Sequence, residues 1–298
     1  MPMRITLIKK VLRKQFEDWE EGSIQEQRHR QENAVRLSRR LPLGIEYQTV
    51  DVNGIPSAWF TPSDCSPGAI LYLHGGAYCL GSINTHREMV GRMAEAVNKR
   101  LLVIEYRLAP EHPYPAALED AQTAWQWLLD QDLEPKQLFL AGDSAGGGLV
   151  LALLLALRDA GRQMPAGAIC LSPWTDLTME STSAFDKAAV DPILNREHLA
   201  KKAHWYAGDF SIKNPLISPL YGDFSGLPPL LFQVGSDELL LDDSTRAAET
   251  ARTDGVEVTL EIYEEMFHVF QMVPFLPATK KALQSIHNFI KGIEQRAR

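Results

Sequence analysis

Gly142-Asp143-Ser144-Ala145-Gly146 is the stretch of this chain best suited to nucleophilic chemistry. It follows the apolar run LFLA and precedes GGLVLALLLALRDA, so the serine falls on a strand-to-helix turn. The flanking glycines remove the Cβ clashes that forbid so sharp a bend, and the hydroxyl is pushed out of the sheet. The helix behind it offers free amides and the positive end of its dipole to a developing anion. A solvated serine in a glycine-rich turn is the rival reading, and the strand before and helix after weigh against it.

A serine needs a base, and eight histidines compete for the role. In an open α/β sheet catalytic groups gather at the carboxyl ends of the strands, so the base is expected after the last strand. His268, a short EEMF loop after the run 258–263, fits; His287 lies in the helix-like LQSIHNFIKGI and reads as a packing or surface residue. The orienting acid is expected at the end of the preceding strand, where PLLFQVGSDELL puts Asp237 just past a Val-Gly-Ser turn. Asp242 and Asp243 are rivals, but they read as acids at the start of the next helix.

Acyl transfer turns a carbonyl oxygen into an alkoxide, which preset amides stabilise; losing one such donor costs about 3 kcal/mol. LYLHGGAYCLGS, residues 71–82, interrupts a buried-looking strand with two glycines. The amides of Gly75 and Gly76, with that of Ala145 behind the nucleophile, are the expected oxyanion donors. Ala77, Tyr78 and Trp174 are candidate pocket-wall residues, although an aromatic such as Trp174 after a buried strand also suits a core. Cys79 is close enough to this loop for thiol reagents to act there, although a buried inert thiol is the plainer reading.

These groups need a scaffold. Short apolar runs at 69–73, 101–106, 138–141, 168–171, 230–234 and 258–263 alternate with helix-length segments, which predicts an α/β fold with a mainly parallel central sheet covered on both faces. Residues 45–60 carry two strand-like runs around Asn53-Gly54, a hairpin signal. Ile5, Ile8, Leu12, Phe16 and Trp19 recur at spacings of three and four, one face of a helix that must cover something. Packing on the rest of the protein is favoured over a membrane-surface helix, because Glu17, Asp18, Glu20 and Glu21 offset the nearby basic residues. The stretch from about 175 to 215 fits the alternation poorly and reads as an insertion over the sheet. The expected division is a cap segment at 1–44 and a catalytic domain at 45–298 that carries this insertion.

Composition narrows the function. With 298 residues and 45% hydrophobic content the chain can bury a large core. A net charge of -8 argues against nucleic acid, which calls for a concentrated basic surface. Cys65, Cys79 and Cys170 are an odd number without metal-ligand spacing, so neither a disulfide framework nor a metal site is expected and a reducing cytoplasm is. No run is long and apolar enough for stable membrane insertion, and the amino terminus lacks a secretory pattern.

HGGA at 74–77, YRLAPEHPYPAALED at 106–120, GDSAGG at 142–147, SPWTDL at 172–177 and DELLLDD at 237–243 together resemble the hormone-sensitive-lipase-like group of bacterial carboxylesterases, within the α/β-hydrolase fold. The similarity spans roughly residues 60 to 295, and the order Ser144, Asp237, His268 is that of α/β-hydrolases. The resemblance implies a cytoplasmic esterase acting on small-molecule esters of short acyl chains. It also implies no cofactor, a helical N-terminal cap and, in many members, a dimer formed through an edge strand. Ala77 departs from the group, which usually has a third glycine there. Tyr106, Arg107 and Glu111 read as braces for the loop beneath the nucleophile. An amide or peptide hydrolase on the same fold is the first alternative; a noncatalytic receptor is the second, and the intact His268 argues against it.

Overall fold

The computed structural model describes residues 2–17, 21–35, 41–131 and 133–296. Eight strands form one sheet: β1 (Ile45–Val52), β2 (Ile55–Pro62), β3 (Ala69–Leu73), β4 (Arg100–Ile104), β5 (Leu138–Asp143), β6 (Gly167–Leu171), β7 (Leu230–Gly235) and β8 (Val258–Tyr263). Their order is β1-β2-β4-β3-β5-β6-β7-β8; β2 is antiparallel to both its neighbours and the pairs from β4 to β8 are parallel. The expected parallel core is present. Asn53 and Gly54 both take positive φ, at 52° and 92°, which is what the tight turn between β1 and β2 demands of them.

Helices α3 (Ile83–Val97), α4 (Ala116–Leu129), α5 (Ala145–Asp159), α8 (Leu241–Thr253) and α9 (Pro277–Arg296) cover the sheet. β3, β5, β6 and β7 are buried along their whole length, which accounts for their unbroken apolar sequences. Two apolar clusters lie on the two faces: Leu71, Leu140 and Leu153 belong to one, Ile70, Phe139 and Ile286 to the other.

Between β6 and β7 the chain carries α6 (Thr182–Asp186) and α7 (Arg196–Ala207), within the stretch that breaks the alternation. At the amino terminus are α1 (Pro2–Glu17) and α2 (Ile24–Val35). Ile5, Ile8 and Leu12 pack on a cluster containing Met266, Phe267 and Phe270, so the apolar face of α1 covers the protein itself. Trp19, expected on the same stripe, lies outside the described residues. Arg13 donates to the carbonyls of Ala189 (2.7 Å) and Asp191 (3.3 Å), tying α1 to the insertion. Among the described residues no helix is long and apolar enough to cross a membrane.

The feature that positions the site is the register of β3 against β5. Leu73 pairs with Gly142, so the two strands end side by side and the chain after β3 meets the turn after β5. A Cβ on Gly146 would overlap the Leu73 carbonyl oxygen and crowd that of His74; a Cβ on Gly142 would crowd the Gly146 carbonyl. Gly146→Ala must therefore push backbone apart and should lower stability by about 2–3 kcal/mol. Gly292→Ala, in α9 where a Cβ meets nothing within 4 Å, should raise it by about 0.5–1 kcal/mol. Urea denaturation of the two variants checks the contrast.

Candidate active site

Ser144 occupies the turn between β5 and α5 at φ 53° and ψ -124°, a conformation costly for any residue with a Cβ. Its backbone is fixed on both sides: its amide donates to the Leu171 carbonyl at 2.8 Å, and its carbonyl accepts from Trp174 at 2.9 Å. Nε2 of His268 lies 2.9 Å from Ser144 Oγ. Both side chains are buried, and both face a cavity of about 380 Å³.

Behind His268 the structure departs from expectation. The carboxylate within reach of its Nδ1 is that of Glu238, with Oε1 at 3.3 Å. Asp237, the expected acid, points the other way; its carboxylate pairs with Lys9 of α1. The reason is local. After β7 the Asp237 amide donates to the Met266 carbonyl (2.9 Å), and the turn directs successive side chains to opposite sides. Glu238 therefore goes inward, fully buried, and Asp237 outward. Glu238 Oε2 accepts from Ser172 Oγ (2.9 Å) and from the Gly235 amide (3.1 Å). Ser172 Oγ in turn accepts from the Val269 amide at 3.2 Å, so one hydroxyl joins the acid to the backbone beside His268. Asp242 and Asp243 serve the insertion, accepting from the amides of Ser183, Thr175 and Asp176. His287 is half-buried on α9.

Burial by itself disfavours an imidazolium at His268, but the bond and charge of Glu238, with the charges of Asp191 and Asp143, outweigh it and raise its pKa. Asp191 had no sequence signal. It is buried within the insertion and accepts from the amides of Ile193 (2.8 Å), Leu194 (3.0 Å) and Leu239 (2.8 Å). Burial pushes its carboxyl up to about 6, while His268 and these amides hold it from going higher.

The oxyanion expectation also needs one correction. The Gly75 amide is already committed, donating to Asp143 Oδ1 at 3.0 Å. The amides of Gly76 and Ala77 meet no acceptor among the described residues, and that of Ala145 opens α5, where helical geometry supplies none. Gly76 and Ala77 have φ of 123° and 52°, so the alanine adopts a left-handed conformation that a glycine would take without strain. Ala77 lines the cavity. Tyr78 and Trp174 do not: Tyr78 stacks on Tyr206 with ring centroids 3.6 Å apart, and the fully buried Trp174 lies 6.2 Å from Tyr78. Both belong to the core.

The expected bracing salt bridge is replaced: Arg107 and Glu111 each pair with other residues. Tyr106 donates to the His74 carbonyl at 2.7 Å, Arg107 forks onto Asp120, and Glu111 pairs with Arg28 of α2 at 2.7 Å. Arg28 also donates to the carbonyls of Cys79 and Ala109, which fastens α2 against the loop. The wall opposite Ser144 comes from both expected cap segments, through Leu12 and Phe16 of α1, Ala34 of α2, and Ile193, Leu194 and Leu199 of the insertion. Among the described residues no cluster of side chains could hold a metal ion.

A family model for the alpha/beta hydrolase fold matches residues 70–272. An acetyl-hydrolase of Streptomyces hygroscopicus is 42% identical over 243 residues, 81% of each chain. The solved structure of EstE5 is 41% identical, with a TM-score of 0.92 and 98% of each chain covered. That of an esterase from the bacterial hormone-sensitive lipase family is 39% identical, with a TM-score of 0.91 over 96% of this chain and 98% of that one. The chain belongs to this family. It is a carboxylic ester hydrolase of the α/β-hydrolase fold.

Proposed function

We propose that Ser144, His268 and Glu238 act as nucleophile, base and orienting acid, and that the hydrolase works through an acyl-enzyme on Ser144. The 2.9 Å approach of His268 Nε2 to Ser144 Oγ carries this reading. His268 takes the serine proton as Oγ attacks the ester carbonyl, and Glu238 stabilises the imidazolium so formed. The carbonyl oxygen, now an alkoxide, is received by the amides of Gly76, Ala77 and Ala145. His268 then protonates the departing alcohol. Water repeats the sequence in reverse and frees the acid.

The substrate is a small ester of short acyl chain. Support comes from the apolar wall of Leu12, Phe16, Leu194 and Leu199 over the nucleophile, and from the soaking of the similar EstE5 with p-nitrophenyl butyrate. Residues 1–44 and about 175–215 serve as the cap that closes this pocket. The free Cys65, Cys79 and Cys170 support a cytoplasmic setting. β8 ends the sheet and exposes Ile262, which supports a second copy of the chain pairing along that edge.

Replacement of either neighbouring carboxylate separates their roles. Glu238→Gln should lower kcat by about two to four orders of magnitude, and Asp237→Asn by no more than about threefold. Only neutral imidazole accepts the serine proton, so kcat/KM should rise with pH through the raised pKa of His268, in a window above 6.5. Without the Glu238 charge that limb should move to lower pH. Equal damage from the two substitutions, or an unmoved limb, contradicts the assignment. Across nitrophenyl esters each added methylene should contribute about 0.8 kcal/mol until the wall is reached. Rates should then peak near four to six acyl carbons and fall beyond about ten. Deleting residues 1–20 should flatten this profile, with circular dichroism as the folding control. Matched nitrophenyl anilides should turn over far more slowly than the esters.

A further inference from the structure

A buried pair beside the nucleophile, Asp143 and His86, includes a histidine that the chemistry above does not use. Asp143 immediately precedes Ser144 and is 3% exposed. Its Oδ1 accepts from the Tyr72 hydroxyl at 2.7 Å and the Gly75 amide at 3.0 Å; its Oδ2 faces His86 Nε2 at 3.3 Å. One carboxylate thus joins the turn that holds the serine to the loop that offers the oxyanion amides.

The contacts of His86 define its protonation. Nε2 faces a carboxylate, which only accepts. Nδ1 lies 3.1 Å from the Ser82 carbonyl, which only accepts, and 2.9 Å from Thr85 Oγ1, a hydroxyl that can donate to that carbonyl or to the ring. The Nδ1–H tautomer would set the Nε2 lone pair against the carboxylate, and the Nε2–H tautomer requires the Thr85 hydroxyl to turn from the Ser82 carbonyl to Nδ1. The doubly protonated ring serves the carboxylate and the carbonyl at once.

We propose that His86 is a positioning residue: as an imidazolium it balances Asp143, Asp143 fixes Gly75, and Gly75 aims the amides of Gly76 and Ala77, so that loss of the His86 proton slackens the loop and lowers turnover at high pH. The inference rests on the oxyanion role given above to Gly76 and Ala77.

The charge of Asp143 also reaches His268, which must be neutral to accept the serine proton, so the surroundings supply no substitute charge in the working enzyme. From the chain after β3, the His74 ring lies 5.4 Å from His86 and donates through Nδ1 to the Gly75 carbonyl. Burial and the neighbouring His86 charge push His74 down to about 3, so it stays neutral. The Tyr72 ring of β3 lies 6.5 Å away. From the chain after β4, Glu105 accepts from the Ile83 amide at 2.8 Å, and burial pushes its carboxyl up to about 7. From α2, Glu32 accepts from Ser82 Oγ. Burial opposes ionisation at both members of the pair, yet each partner's charge and hydrogen bonding outweigh it: the His86 pKa is raised and that of Asp143 lowered. The sign follows. The stabilisation is complete below the ordinary histidine pKa and is lost as pH rises through the raised one, leaving Asp143 buried without a counter-charge.

The test reads His86 directly and then through turnover. Ring-nitrogen NMR of histidine-labelled Ser144→Ala protein, with the His86 signals assigned by His86→Gln, should show both nitrogens predominantly protonated at about pH 6.5, where an ordinary histidine is half neutral. Wild-type kcat should fall on an alkaline limb that follows this titration. His86→Gln keeps a donor but cannot titrate; it should lose that limb, with neutral-pH kcat down about tenfold and KM within about twofold. Glu105→Gln should keep the limb. A His86 ring half neutral or more at about pH 6.5, or an alkaline limb that survives in His86→Gln, overturns the proposal. An active Ser144→Ala protein would instead overturn the assignment of the nucleophile, an outcome the NMR measurement distinguishes.

Discussion

The architecture of the site depends on one close approach, that of the end of β3 to the turn after β5. Gly142 and Gly146 carry no Cβ, so the Leu73 and His74 carbonyls lie where side chains would otherwise be. That contact brings the loop after β3 within one hydrogen bond of Asp143 and places it in the same cavity wall as Ser144. The strained φ of 53° at Ser144 is held by the amide and carbonyl bonds on either side of it. Remove the approach and Ser144 parts from the loop that bears Gly76 and Ala77.

The electrostatics around this contact are arranged in two buried pairs. Glu238 raises the pKa of His268 from one side of Ser144, and Asp143 raises that of His86 from the other. Every oxygen of the two carboxylates meets a donor, through Ser172, Gly235, Tyr72 and Gly75 as well as the histidines. Buried charge is tolerated in proteins only when satisfied in this way.

How much of this was legible in the chain follows from what each signal encodes. The strand runs, the Asn53-Gly54 turn and the strand-turn-helix at Ser144 were readable because apolar period and glycine placement report local backbone geometry. The approach of His268 to Ser144 was readable from its place after the last strand. The carboxylate behind it was not: Asp237 and Glu238 are adjacent on an irregular turn, and no periodicity says which faces inward. Gly75 was misassigned for a similar reason, since its amide is claimed by a side chain 68 residues away in sequence. Tyr78 is an aromatic near the site that stacks on Tyr206 of the insertion, a long-range contact, and Trp174 lies 6.2 Å from Tyr78. His86, Asp191 and Ser172 acquire their roles only from such contacts.

The central claim is that Ser144 carries the acyl group. Rapid quenching of the enzyme with p-nitrophenyl butyrate, followed by peptide mass mapping, tests it most directly. The account predicts a butyryl adduct on the peptide containing Ser144, formed with the first burst of nitrophenol and absent from Ser144→Ala. A burst with the adduct on another residue, such as Cys79, or turnover with no covalent adduct at any quench time, would contradict it.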